Sequence, residues 1–252
     1  MANKVECNFA LFSMDENNPR IKRHFNRGGV SAIYENGYIT ICQGEWKMRV
    51  SKAENVPLTM VLKATFMIQN VLAAVLAVYL DGFKIEDIKV AIESFIPSPS
   101  QTPGRLNMFN FKNFKVLLDY AHNPAGFRAI KDYVDQIEAS EKVGIVAGVG
   151  DRRTQDNNEL GEIAAEMFDE IIIRQDRNLR GKDEEELINE IHDGIKAVDP
   201  NKKVDIIHSE RDAIIHAVKN AKKNSLVVVS SDVVPDALNL VMKLKEKENS
   251  EA

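Results

Sequence analysis

The fold class is decided by one stretch, Phe114-Lys115-Val116-Leu117-Leu118-Asp119-Tyr120-Ala121-His122-Asn123-Pro124. Its first half is an apolar run that ends in an acid, a pattern typical of a strand buried on both faces. Its second half is a polar loop that ends in proline, which favours the first turn of a helix. Phe127, Ile130 and Val134 then recur at helical spacing, so the stretch predicts a strand, a loop and a helix in succession.

The same succession continues toward the end of the 252-residue chain. A hairpin partner is predicted over 106–111, before the first strand. Further strands are predicted over 143–147, 170–174, 204–208 and 226–230, and helices over 159–168, 183–198, 210–220 and 235–245. Five alternations of strand and helix predict an α/β fold with a mostly parallel sheet and helices on both faces.

Upstream, the pattern indicates a second, smaller α/β unit. Strands over 30–35 and 38–43 flank Asn36-Gly37, a dipeptide that supplies the two positive-φ residues of a type I′ hairpin turn. Another strand is predicted over 46–51, and helices are predicted over 19–26, 59–80 and 85–95.

A proline-rich segment separates the two parts. Pro97, Pro99 and Pro103 fall within seven residues, and proline disfavours helix at its own position and at the one before. We therefore expect a first unit over 1–96, a linker over 97–104, a second domain over 105–247 and a polar tail over 248–252.

Composition excludes several classes of protein. The net charge of −5 argues against a nucleic-acid binder held by phosphate contacts. The apolar run at 71–80 is too short to span a bilayer, and no signal peptide opens the chain. The two cysteines, Cys7 and Cys42, lack metal-ligand spacing. These features predict a cytoplasmic protein without membrane or nucleic-acid partners.

Ligands of open α/β sheets bind beyond the carboxyl ends of the strands, and the first such loop follows Asp119. A carboxylate at this position can accept two hydrogen bonds from a vicinal diol such as a ribose. His122 and Asn123 follow, and an alternative of equal weight is that Asn123 caps the helix while His122 faces solvent.

Two later loops carry paired charges. In Gly148-Val149-Gly150-Asp151-Arg152-Arg153 the glycines let the backbone approach a ligand, although an arginine replaces the third glycine of the dinucleotide motif. The alternative for Asp151 and Arg152 is a surface ion pair of little energetic weight. Asp176 and Arg180 lie in the loop over 175–181, where arginine forks suit carboxylate or phosphate and the alternative is a solvated charged loop. The loops over 208–212 and 230–232 match no known motif.

Asn70 interrupts the apolar run of the long predicted helix. A buried asparagine needs partners, so we expect it to bond a neighbouring element or a ligand, with Lys63 two turns earlier on the same face. No Gly-x-x-x-x-Gly-Lys-Ser/Thr phosphate loop occurs in the 252 residues.

Taken in order, these motifs resemble a known family. Thr102-Pro103-Gly104-Arg105-Leu106 and Asp119-Tyr120-Ala121-His122-Asn123-Pro124 are similar to the linker and first loop of the Mur ligase superfamily, which includes folylpolyglutamate synthases. The two charged loops and Gln69-Asn70-Val71-Leu72 resemble the cyanophycin synthetase branch. The resemblance implies a Rossmann-like C-terminal domain preceded by part of a central ATP-binding domain.

The resemblance also implies roles. Asn70 would hydrogen-bond adenine, Arg105 would act as the catalytic cation on the ATP phosphates, and Asp119 would hold the ribose. His122 and Asn123 would line the same cleft. The residues implied to face the amine substrate are Asp151, Arg152, Asp176 and Arg180.

In this family ATP and Mg²⁺ activate a carboxylate as an acyl phosphate, which an amine attacks to form an amide. In the cyanophycin branch the amine is arginine and the acceptor is an aspartate side chain. Because the phosphate loop does not occur in this sequence, we expect a C-terminal portion that is inactive alone, with the Mg²⁺ ligands in another segment. Such a portion would expose a sheet edge and apolar surface and self-associate.

Two alternatives stay open. One is a nucleotide- or amino-acid-binding module without catalysis, such as a regulatory subunit. The other is a ligase of the cell-wall or folate branch.

Overall fold

The computed structural model describes residues 7–175 and 179–250 and divides the chain into two compact units, between Pro97 and Ser98. Each unit has its own sheet and its own hydrophobic core. In the described ranges, none of the helices combines the length and apolar character needed to cross a bilayer.

The first unit is built on a four-stranded sheet. Its strands, in spatial order, are β1 (Leu11–Ser13), β2 (Val30–Glu35), β3 (Tyr38–Gln43) and β4 (Trp46–Lys52). β1 runs parallel to β2, and the other neighbours are antiparallel. Asn36 and Gly37 have φ of 49° and 83° at the tip of the β2–β3 hairpin, as the dipeptide predicts for this turn.

Three helices complete the first unit: α1 (Pro19–Phe25), α2 (Thr65–Leu80) and α3 (Ile85–Ser94). The buried face of α2, including Ile68, Leu72 and Val75, packs with Ile39 and Ile41 of β3. Burial of this face against the sheet removes apolar surface from water and so stabilises the unit.

The predicted start of α2 at residue 59 is wrong. Met60, Val61 and Leu62 all have φ between 51° and 66°, a left-handed conformation that interrupts any helix of L-residues. The Thr59 hydroxyl donates to the carbonyls of Ala53 and Val56, both at 2.9 Å. The chain therefore turns before Thr65, and helix begins only there.

The second unit contains a six-stranded sheet in the order β5-β6-β10-β7-β8-β9. All neighbours are parallel except β5 with β6, which form a hairpin. This confirms the mostly parallel α/β sheet. The strands are β5 (Asn107–Asn110), β6 (Lys115–Asp119), β7 (Lys142–Val146), β8 (Glu170–Ile173), β9 (Lys203–Ile206) and β10 (Leu226–Ser230).

Helices cover both faces of this sheet, as the alternation predicts. They are α4 (Pro124–Val134), α5 (Thr154–Met167), α6 (Glu184–Val198), α7 (Glu210–Asn220) and α8 (Val234–Ser250). Val143 and Ile145 of β7 share a core with α7 and α8. Between them, Gly144 points to the other face, where an added Cβ would lie 2.1 Å from the Phe168 ring. Side-chain alternation along each strand thus separates the two layers.

Two helix ends differ from the prediction. α5 begins at Thr154 rather than 159, because the Asp156 carboxylate accepts the Arg153 backbone N–H at 3.3 Å and completes a cap. α8 continues to Ser250, so residues 248–250 are helical rather than tail. The Glu248 carboxylate accepts the Lys112 backbone N–H at 3.0 Å and anchors this end to the β5–β6 hairpin.

Helices α5 and α6 approach closely because glycines face each other. A Cβ at Gly194 would lie 1.9 Å from the Asn158 carbonyl oxygen, and one at Gly161 would lie 2.2 Å from that of Ile191. We expect Gly194→Ala to lower the free energy of unfolding by about 1–3 kcal/mol, because the helices must separate to admit the methyl group. Urea unfolding followed by circular dichroism measures this.

The matched control is Gly126→Ala in α4, where the nearest atom would lie at an ordinary 3.4 Å. Its stability should stay within about 1 kcal/mol of the wild type. Equal stability of both variants would contradict the close-approach explanation.

Candidate functional site

The Asp119 carboxylate, at the carboxyl end of β6, joins two backbone segments. Its Oδ2 accepts the Leu106 N–H at 2.8 Å, and its Oδ1 accepts the Ala121 N–H at 2.8 Å. The residue is 6% exposed. Burial raises the pKa of this carboxyl group, while the backbone hydrogen bonds and the nearby Arg105 guanidinium act in the opposite direction. Asp119 therefore holds the residues around Arg105 against the end of the strand.

The turn before Leu106 is closed by a residue that the motif analysis missed. The buried Asn107 side chain accepts the Gly104 N–H at 2.7 Å and donates to the Thr102 carbonyl at 3.0 Å. Gly104 has φ of 67°, and a Cβ there would lie 2.6 Å from Val234. In the sequence, the structural role of Asn107 is indicated only by its being a polar residue near the start of a predicted strand that is mostly apolar.

Arg105, Tyr120 and His122 form a row at this edge. The Arg105 guanidinium lies 5.2 Å from the centre of the Tyr120 ring, and the Tyr120 and His122 rings are 4.7 Å apart. His122 Nδ1 is 3.1 Å from the Tyr120 carbonyl oxygen. Asn123 caps α4 by accepting the Gly126 N–H at 2.8 Å. The structure thus realises the capping alternative for Asn123, and it adds Tyr120 to the row.

The charged residues of the next two loops come together. Arg180 forms an ion pair with Asp151, and Arg152 Nη1 lies 3.9 Å from Asp151 Oδ1. The loops approach because Gly150 has no side chain: a Cβ there would lie 1.9 Å from the Leu179 carbonyl oxygen. Asp176, also predicted at this site, lies outside the described residues.

A buried polar network supports the Gly148–Gly150 loop, and the sequence offered no motif for it. Asn157 accepts the Val149 N–H at 3.0 Å and donates to Glu190 at 2.7 Å. Lys182 Nζ lies 2.6 Å from Glu190 Oε1. Burial raises the pKa of Glu190, but the hydrogen bonds from Lys182, Thr154 and Asn157 outweigh it and lower the pKa overall. This network fixes the loop from behind.

A second buried cluster lies beneath the ends of β8 and β10. Arg174 Nη2 lies 3.0 Å from Glu210 Oε2 and 2.8 Å from Asp232 Oδ1. Glu210 also accepts the Ser231 hydroxyl at 2.9 Å. Burial, reinforced by Asp232 and opposed by Arg174 and Ser231, raises the pKa of Glu210 to about 7. Sequence analysis gave these residues no role, because they come from three separate loops without a shared motif.

A cavity at the carboxyl edge of this sheet connects the two groups of residues. Its lining contains aromatic rings, guanidinium groups, hydroxyls and a carboxylate, which suits a small polar ligand. The lining residues are Tyr120, Ala121, His122, Ala147, Val149, Arg174, Arg180, Ser230, Ser231 and Asp232. Across the described ranges, no group of three His, Cys, Asp or Glu side chains is placed to hold a metal.

Asn70 belongs to the first unit and is exposed on α2, with its Nδ2 3.4 Å from the Met67 sulfur. The expectation that it is buried is wrong, because the buried face of α2 runs through Ile68, Val71 and Leu72 instead. Lys63 precedes the first residue of α2, so it does not share a helical face with Asn70.

Comparison with known proteins places this arrangement in a family. A model described as "Mur ligase, glutamate ligase domain" matches residues 104–233. The cyanophycin synthetase of Geminocystis herdmanii (strain PCC 6308) is 44% identical over 243 residues, covering 96% of this chain and 28% of that protein. The cyanophycin synthetase of Nostoc sp. (strain PCC 7120) is 41% identical over 241 residues, covering 96% and 27%.

Among solved structures, that of E. coli FolC in complex with DHPP and ADP shares the fold, with a TM-score of 0.62 at 16% identity. The alignment covers 94% of this chain and 54% of that one. The chain spans 27–28% of the length of the two cyanophycin synthetases.

The raised pKa of Glu210 predicts a pH-dependent stability. Because Glu210 holds its proton to about pH 7 in the folded chain, its contribution is present below the unfolded pKa and is lost as pH rises through about 7. We expect the free energy of unfolding to fall by about 1–3 kcal/mol over this window through Glu210 alone.

Urea unfolding between pH 5 and 8 measures this contribution as the difference between the wild type and Glu210→Gln. Asp212→Asn, an exposed acid on the same helix, is the matched control and should retain the wild-type profile. Parallel pH profiles for the wild type and Glu210→Gln would contradict the assignment.

Proposed function

The chain belongs to the Mur ligase family through its glutamate ligase domain, and on that premise we propose that it is part of an ATP-dependent amide ligase of the cyanophycin synthetase type. The observation that carries the proposal is the identity of 41–44% to cyanophycin synthetases over 96% of the chain. The same observation favours this branch over the cell-wall and folate ligases.

The proposed reaction has two steps. The γ-phosphoryl group of ATP passes to a carboxylate, giving an acyl phosphate and ADP, and an amine then displaces phosphate to form the amide. Magnesium would supply charge neutralisation on the phosphates. The described residues contain no group of three His, Cys, Asp or Glu side chains that could hold it.

Arg105 would stabilise the transferring phosphoryl charge. It is exposed, beside the Tyr120 ring, and it stands on a turn that Asp119 and Asn107 hold rigid. A preorganised cation of this kind is suited to phosphate oxygens because no reorganisation is needed at the moment of reaction. The structure of FolC in complex with ADP supports a nucleotide ligand for this fold.

The nucleoside would be held by Asp119, with His122 and Asn123 in the same cleft, and Asn70 of the first unit would contact adenine. Both Asp119 oxygens already accept a backbone N–H. A ribose diol would therefore use the second lone pair of each oxygen.

The amine substrate would lie at the charged loops. Arg180, Asp151 and Arg152 lie together at the edge of the cavity, and Asp176 belongs to the same proposal. A guanidinium fork there can fix the carboxylate of an amino acid. In the cyanophycin branch that amino acid is arginine and the acceptor is an aspartate side chain.

We further propose that these 252 residues alone bind nucleotide weakly and do not ligate. No Gly-x-x-x-x-Gly-Lys-Ser/Thr segment occurs among them, and that loop supplies the backbone N–H groups that cradle phosphates. The same observation favours a second candidate, a binding module without catalysis. Amide formation by a longer protein that contains this sequence would decide between the two.

Self-association is proposed for the first unit, through contacts with a second copy of the chain. Of the thirteen large apolar side chains exposed in the described ranges, ten belong to this unit, Trp46 and Val90 among them. An apolar surface of this kind is typical of an interface.

Nucleotide binding is tested by calorimetry with ATP. We expect Arg105→Ala to weaken ATP binding about tenfold or more, because it removes a charge-assisted contact to phosphate. Arg128→Ala, an exposed arginine on α4 that pairs with Glu159, is the control and should bind as the wild type does. Absence of ATP binding by the wild type, or equal affinities for all three chains, would count against the nucleotide site.

Self-association is tested by light scattering over a range of concentrations. We expect the wild type to have a mass above that of the monomer. The double variant Trp46→Glu and Val90→Glu should have a lower mass, because the added charges oppose apolar contact between copies. The control carries Val198→Glu and Met242→Glu, at exposed positions of the second unit. A monomer at every concentration would overturn this proposal.

A further inference from the structure

The cluster of Arg174, Glu210 and Asp232 connects three segments at the carboxyl edge of the second sheet. Arg174 directly follows β8, Glu210 is the first residue of α7, and Asp232 follows β10. Their side chains are 3%, 14% and 26% exposed. Arg174 and Asp232 also line the cavity, so the cluster lies directly against it.

Arg174 is the centre of this cluster because its guanidinium contacts both neighbouring loops. Its Nη1 donates to the Gln175 carbonyl at 2.9 Å, in the loop that leads to Arg180. Its Nη2 donates to the Ser230 carbonyl at 2.9 Å, in the loop that leads to Asp232. A planar guanidinium can make these contacts at once, which a single ammonium group cannot do with the same geometry.

Glu210 sets the position of Arg174 from the opposite side. Its carboxylate lies against the guanidinium at 3.0 Å and accepts the Ser231 hydroxyl at 2.9 Å. Glu210 is itself fixed at the start of α7, where the Ser209 hydroxyl caps the helix at the Asp212 N–H. The charged groups that face Glu210 from the packed elements are Arg174 and Asp232.

We propose that Arg174 and Glu210 are positioning residues that hold the loops after β8 and β10 in the arrangement that binds the amino-acid substrate. This inference rests on the proposed function, which places the amine substrate at the loops after β7 and β8, and it adds the loop after β10, which lines the same cavity. Glu210 does not line the cavity and acts through Arg174 and Ser231, which do. Arg174 in turn holds the backbone carbonyls of Gln175 and Ser230.

Protonation of Glu210 provides a readout that a purely structural residue would not give. With Glu210 ionised, the guanidinium has a carboxylate on the α7 side. With Glu210 protonated, that attraction weakens and the acid proton hydrogen-bonds Asp232 instead. Burial and the neighbouring Asp232 carboxylate make ionised Glu210 the less stable form in the folded chain, so loosening that exposes Glu210 to water is favoured as pH rises. The loop over 230–232 should therefore be held less firmly at pH 8 than at pH 6.

The experiment is calorimetry of L-arginine and, separately, of ATP with the full chain between pH 6 and 8.5. For the wild type we expect the arginine affinity to fall about tenfold across this range, as ionised Glu210 and Asp232 come to repel each other and the loop over 230–232 loosens. Glu210→Gln, which stays uncharged, should keep at every pH the affinity that the wild type shows at pH 6. Arg174→Lys should lose arginine affinity by a similar factor, while all three chains bind ATP equally.

Asp212→Asn is the matched control and should follow the wild type. A pH profile of Glu210→Gln that parallels the wild type would overturn the proposal, as would equal losses of ATP and arginine affinity, which indicate general unfolding. If ATP binds and arginine does not, the positioning proposal fails while the nucleotide site stands. If neither binds, the proposed function fails as well.

Backbone hydrogen exchange at pH 8 tests the same point without a ligand. Ser231 donates its N–H to the Asp119 carbonyl at 3.0 Å, and we expect this amide to exchange about tenfold more slowly in Glu210→Gln than in the wild type, with β7 unchanged. Equal exchange at Ser231 in both chains would overturn the positioning role even if Arg174→Lys does not fold.

Discussion

The second unit depends on the hydrogen bonds at Asp119. One side chain accepts backbone N–H groups from Leu106 and Ala121, and its own carbonyl accepts that of Ser231. The residue thereby joins the turn before β5, the loop after β6 and the loop after β10. A carboxylate is suited to this place because it accepts several hydrogen bonds and donates none. Those bonds offset part of its desolvation, which helps a buried acid to be tolerated at the end of an apolar strand.

Close backbone approach is the second constraint. Gly104, Gly150 and Gly194 each lie where a Cβ would meet another part of the chain at less than 3 Å. Without a side chain, Gly104 lets its turn pack against Val234, and Gly150 lets the two charged loops come together. Gly194 allows α5 and α6 to pack closely. Because the loops after β7 and β8 meet in this way, Asp151 and Arg180 can pair although they are distant in sequence.

Burial of charge distinguishes the two networks behind the cavity. Glu190 is paired with Lys182 and bonded by Asn157, so its carboxylate is stabilised and its pKa is lowered. Glu210 is buried and lies near a second carboxyl group, that of Asp232, so its pKa is raised despite Arg174. The first network therefore fixes its loop at all pH values near neutrality. The second changes its protonation in that range, so the geometry it supports is sensitive to pH.

The sequence by itself determined the α/β class, the positions of most strands and the charged loops at their carboxyl ends. Apolar runs, helical spacing and glycine or proline breaks are local signals, so they predicted β2, β3, β10 and α7 to the residue. Local signals failed where backbone geometry is set from outside the segment, as at residues 60–62 before α2 and in the longer α8. Asn70 was predicted to be buried because an apolar run does not show which face of a helix meets the core.

Only the tertiary structure decided which polar residues share a site. Asn107, Asn157, Arg174 and Glu210 gain their partners from segments far apart in the chain, and no spacing rule relates those segments. The sequence predicted only that Asp151 and Arg180 lie at the same edge of the sheet. They pair because the two loops that carry them come into close contact at Gly150. Hydrogen bonds and ion pairs act over a few ångströms in space, whereas sequence patterns record neighbours along the chain.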